Sequence, residues 1–118
     1  MVKIDKQQID QLIFIEATSG EKIIDHLLDL YIQQMSKYGP LIVAEADKNN
    51  LLQVSSLAHS LKSSAANLGM LSVEQICLFI ETEGKKNHQL NYAELVQQIH
   101  DESELALQQI RAFLAEQK

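Results

Sequence analysis

Hydrophobic positions recur at helical spacing along almost all of the 118 residues. From Tyr92 onward, Val96, Ile99, Ser103, Ala106, Ile110 and Phe113 alternate steps of four and three, and Leu95, Leu107 and Leu114 widen the stripe. Such a stripe is the buried face of one long amphipathic helix. Ile23, Ile24, Leu27, Leu28, Tyr31 and Met35 repeat the pattern nearer the N-terminus. No stretch alternates apolar and polar residues as a half-buried strand would.

Start and stop signals divide the pattern into elements. An N-cap oxygen followed three residues later by Glu or Gln can close a capping box. Asp5 with Gln8, Thr18 with Glu21, Asn50 with Gln53, Ser72 with Gln75, and Asn91 with Glu94 all have this spacing. Gly39-Pro40 is expected to end a helix near Tyr38, with Pro40 in the first turn of a short one. Gly69 and Gly84 are natural stops for the helices before them. The reading is a helix near 5–17, a long one near 19–38, a short one near 40–48, and longer ones near 51–68, 72–84 and 91–116. Short connections force neighbours to run antiparallel. The expected fold is all-α: an up-and-down antiparallel four-helix bundle whose short N-terminal helix caps one end, a single domain over 1–118.

Composition narrows the function classes. A chain this long suits one core and is too short for two. Cys77 is the only cysteine, so no internal disulfide forms, and its place with Val73, Ile76 and Ile80 predicts burial. The opening "MVKIDKQQID" lacks the apolar core of a signal peptide, and no window approaches the roughly 20 apolar residues of a membrane span. A cytoplasmic protein without membrane association is expected. Sixteen acidic against ten basic residues give a formal charge of −6, which disfavours nucleic acid as a partner. The one locally basic stretch, Gly84 to Lys86, reads as a solvated turn. The four glycines are well separated, so no glycine-rich phosphate loop exists and a nucleotide-dependent kinase lacks its parts.

The chemistry-bearing stretch is "AHSLKSSAANLG", Ala58 to Gly69. At about 100° per residue, Val54, Leu57, Ala58, Leu61, Ala65 and Leu68 gather on one side of its helix and His59 points roughly 140° away from Val54. One turn from His59 stand Ser55, Ser56, Lys62 and Ser63, followed by Ala66. Except for Lys62, each is small. An exposed imidazole on such a shallow surface is open to a reactive group on another protein. Lys62 puts a positive charge within reach of whatever the ring carries. Histidine is a competent covalent nucleophile, so the arrangement suits holding a phosphoryl group and handing it on. The plain alternative is an ordinary surface histidine, which is how His26, His88 and His100 read. No pair of histidines has a metal-binding spacing, so no metal site is expected.

"AHSLKSSAANLG" resembles the signature of histidine-containing phosphotransfer (HPt) domains, a His-x-Leu-Lys core followed by small residues and a Leu-Gly stop. "IDKQQIDQLIFIEATSGEKIIDHLLDLYI" resembles the family's opening helix and turn, and "LSVEQICLFIE" its post-motif helix, with a cysteine and a late glutamate. The resemblance implies that His59 is the phosphoacceptor and that Lys62 steadies the phosphoryl oxygens. Ser63 stands where the family often has glycine and keeps the position small. Ser55, Ser56, Ser63, Ala66 and Leu78 are the candidate docking residues; for Leu78 the alternative is packing beneath the first helix. The implied partners are the receiver domain of a hybrid sensor kinase and a response regulator, with Mg²⁺ supplied by the receiver and no cofactor of its own. The protein is expected to be a monomer, and a short domain opening on methionine suggests a free-standing shuttle, although a domain excised from a hybrid kinase would look similar. Ser60 replaces the acidic residue that follows the histidine in kinase dimerisation domains, and no parallel sheet or aspartate cluster marks a receiver. The rival function is a non-covalent helical adaptor without phosphotransfer.

Overall fold

The computed structural model describes residues 3–116; residues 1–2 and 117–118, the two ends of the expected domain, lie outside the described residues. Five helices follow in order: α1 Lys6–Ser19, α2 Ile23–Asp47, α3 Leu51–Asn67, α4 Leu71–Lys85 and α5 Tyr92–Glu116. There is no strand among the described residues. Helix α2 packs on α3, α3 on α4, α4 on α5 and α5 on α2, which closes a four-helix ring, while α1 lies against α2. The bundle is elongated, 47 × 27 × 20 Å. None of its helices is long and apolar enough to cross a membrane, among the residues described.

The stripes turn inward as the periodicity requires. Val54, Leu57, Ala58, Leu61, Ala65 and Leu68 are all buried, as are Val73, Cys77 and Ile80 from α4. Burial pushes the Cys77 thiol up to about 12, so it stays protonated and unreactive. Two buried polar groups satisfy each other: Tyr31 donates to Ser103 Oγ, and Ser103 donates to the Ile99 carbonyl one turn back.

Helix α2 departs from expectation because it runs straight through Gly39-Pro40. Pro40 and Ser36 are both on the exposed side, so the Ser36 carbonyl that proline cannot bond faces solvent. Gly39 is buried, and a Cβ there would stand 3.2 Å from Val96 Cγ1 of α5. Packing on α5 therefore holds together what local signals would have divided.

Three of the five expected N-caps also fail. Asp5 accepts from the amides of Gln7 and Gln8, and Asn91 Oδ1 accepts from Glu94 N–H. Thr18 lies inside α1 and bonds back to Phe14 and Ile15, Asn50 turns its amide to Glu45, and Ser72 lies inside α4 and accepts from Lys3 N–H. The first helix does cap an end. Asp5 N–H donates to Gly69 O at 2.7 Å and Gln8 Nε2 to Asn67 O at 3.0 Å. Gly69 has φ +69° and a Cβ there would meet Asp5 O at 2.8 Å, so both backbone conformation and close approach demand glycine.

Candidate functional site

Helix α3 carries His59 on the face opposite its buried stripe, with 59% of the side chain exposed. No segment of the described chain roofs it. On the same face, at helical spacing, stand Leu52, Ser56 and Ser63, all exposed, while Ala66 further along is half-buried. The Ser63 hydroxyl donates to its own helix at the His59 carbonyl, leaving the surface beside the ring low. Leu78 is 50% exposed and shares a hollow with Lys62, so the α4 side of the site has an apolar border, whereas Phe79, also exposed, lines a groove between α4 and α5. Ser55 lies at the back of the depression beside the ring. It is buried, and its hydroxyl donates to the Glu81 carbonyl at 2.9 Å, so it fastens α3 to α4 instead of offering a surface to a partner.

The lysine of the motif also faces a different way from the expectation. Lys62 Nζ reaches across to α4 and bonds Glu81 Oε1 at 2.5 Å, with only 22% of its side chain exposed. Glu81 is itself 7% exposed. Its second oxygen, Oε2, lies 2.9 Å from Nδ1 of His59 and 3.3 Å from Nζ of Lys85. The Lys62 hydrogen bond, with those of His59 and Lys85, outweighs desolvation and holds the Glu81 carboxyl at about 2.

That ionisation state decides the tautomer of His59. A carboxylate can only accept, so Nδ1 must carry the hydrogen, and in the neutral ring Nε2 is then the nitrogen with the lone pair. The free nitrogen is the one directed away from Glu81. The site thus joins a nucleophilic nitrogen, an anchoring carboxylate and two ammonium groups. Packing makes this possible at Gly84, where an added Cβ would lie 2.8 Å from Leu51 O and 3.1 Å from Ser55. The absent side chain lets α4 approach α3 closely enough for Glu81 to reach His59.

Glu81 has no site role in the sequence reading beyond its resemblance to a family glutamate, yet a signal was present. It follows Cys77 by four residues and precedes Gly84 by three, so it sits on the buried stripe of α4. An acid in such a position requires cationic or donor partners. Lys85, read as part of a solvated turn, lies instead in the last turn of α4 and pairs with Glu81. Lys86 pairs with Glu83 at 4.0 Å, and His88 with Glu83 at 2.9 Å.

An exposed histidine on a four-helix bundle, with one ring nitrogen held by a carboxylate, is suited chemically to carrying a phosphoryl group. The family model described as the Hpt domain matches residues 26–113, most of the chain, and the chain belongs to that family. It is accordingly a phosphotransfer intermediate of phosphorelays, working with receiver domains. Among solved structures, histidine-containing phosphotransfer protein B (HptB) from Pseudomonas aeruginosa PAO1 shares the fold, with a TM-score of 0.77 at 17% identity over 93% of this chain and 92% of that one. No curated protein matches the chain.

Proposed function

We propose that His59 accepts a phosphoryl group from the phosphoaspartate of one receiver domain and passes it reversibly to another. The observation that carries the reading is the Nδ1 contact to an ionised Glu81, which leaves Nε2 as an exposed nucleophile. In-line attack by Nε2 needs little from the bundle except positioning, because charge in the transition state is spread over the phosphoryl oxygens. Mg²⁺ is proposed to enter with the receiver, whose own carboxylates would hold it. Leu52, Ser56 and Ser63 beside the ring, with Leu78 on the α4 side next to Lys62, form the proposed docking face. Lys62 keeps Glu81 ionised, and it must leave Oε1 before it can steady the phosphoryl oxygens as the family resemblance implies.

The test is phosphoryl uptake. Incubated with acetyl-phosphate-charged receivers and read by intact mass, the protein should gain one phosphoryl group, and His59→Gln should gain none while keeping its helical circular dichroism. Uptake by His59→Gln at the wild-type yield would refute the assignment. Binding without mass gain in the wild type would identify the adaptor instead.

A further inference from the structure

Glu81 offers two oxygens to three donors, and the division is unequal. Oε1 serves Lys62 alone, whereas Oε2 is shared by His59 Nδ1 at 2.9 Å and Lys85 Nζ at 3.3 Å. The two lysines also face different hollows. Ser55, Ser56, His59, Ser60, Glu81 and Lys85 line the depression beside the imidazole. Lys62 lines a separate one with Leu71, Glu74, Gln75 and Leu78. Lys85 is 66% exposed, so its long stem is free to turn.

Transfer changes the charge at Oε2. The Nε2 lone pair forms the new bond to phosphorus, the bond from phosphorus to the aspartyl oxygen breaks, and its electron pair leaves on the receiver's carboxylate. The proton stays on Nδ1 in its hydrogen bond to Oε2, where the Lys62 contact on Oε1 favours the ionised carboxylate. The ring, neutral before, is then cationic. Two cations now face one oxygen, and the longer, more exposed contact is the one that repulsion breaks. At that moment a doubly negative group has arrived in the hollow that the released side chain already lines.

We infer that Lys85, released from Glu81 Oε2 by the newly cationic ring, becomes the cation that holds the phosphoryl oxygens, while Lys62 stays on Oε1 as the anchor of the carboxylate. The inference rests on His59 being the acceptor. It assigns the phosphoryl contact to a residue 26 positions beyond the histidine, on another helix, instead of the one within its own motif.

Phosphoramidate can load His59 without any receiver, and the product can be titrated by ³¹P NMR. In Lys85→Met the titration midpoint of the phosphoryl group should rise by about half a unit, the scale of one nearby ammonium in partly aqueous surroundings. Transfer from a phosphorylated receiver should slow about tenfold. Lys85→Arg should restore both, and Lys62→Met should leave the midpoint where it is in the wild type. An unaltered midpoint in Lys85→Met, with the shift appearing in Lys62→Met, overturns the inference while leaving the His59 reading intact. Failure of the wild type to load at all overturns both.

Discussion

At the scale of single residues, the proposed chemistry turns on a carboxylate that is nearly buried and still ionised. A carboxyl held below its ordinary range stabilises the fold fully above the unfolded value of 4.5, and that contribution is lost as pH falls toward about 2. Comparing urea unfolding of the wild type and Glu81→Gln should therefore show the widest stability gap above about pH 5, closing steadily through the acid range. A gap that does not change with pH would mean that Glu81 is not paired. Two substitutions separate charge from hydrogen bonding. Glu81→Gln retains an oxygen that accepts from Nδ1 and should keep most of the phosphoryl uptake. Glu81→Leu frees the ring to take either tautomer and should slow uptake about tenfold. His59 and Lys62 were legible in the motif because both lie within one turn of a single helix. Glu81 and Lys85 were harder to see, because their partners come from a different helix and nothing local in α4 names them.

At the scale of elements, α3 and α4 form the working pair, and their separation is set by what is missing at Gly84. Gly84→Ala would drive a Cβ to 2.8 Å from a backbone carbonyl in the first turn of α3, which cannot rotate aside as a flexible side chain would. The helices must part by several tenths of an ångström. The expected cost is about 1–3 kcal/mol in chemical unfolding, with slower phosphoryl uptake because Glu81 withdraws from the ring. Wild-type stability in this variant would show that the contact relaxes freely. The same scale explains the errors in the sequence reading. Asp5 and Asn91 cap as their spacing suggested, but Thr18 and Ser72 find themselves inside helices. Pro40 was read as a stop because its local penalty of about 3 kcal/mol is real. Burial of Tyr31, Ile42 and Ala46 on either side of it outweighs that penalty and keeps α2 continuous.

At the scale of the whole molecule, the site is an outgrowth of one shared core. Leu61 lies within the motif and is wholly buried, two residues from the exposed imidazole. Leu61→Ala should cost about 2–5 kcal/mol of stability, read from thermal or urea unfolding, because the surrounding helices can only partly collapse into the space. Where the variant remains folded, phosphoryl uptake should persist, since nothing facing the ring has changed. Loss of uptake in a demonstrably folded Leu61→Ala protein would tie the chemistry to core packing more closely than the geometry indicates. The residues themselves determined the helical class, the number of long helices, the inward faces and the exposure of His59, because helical periodicity repeats every turn and each repetition restates it. Only the tertiary structure decided that α2 passes through Pro40, that Ser55 is a fastener, that Lys62 turns toward α4 and that Glu81 selects the tautomer of His59. Those outcomes depend on the register and distance between helices far apart in the chain. That relation is fixed by close contacts such as Gly84 on Leu51, which no single stretch of sequence contains.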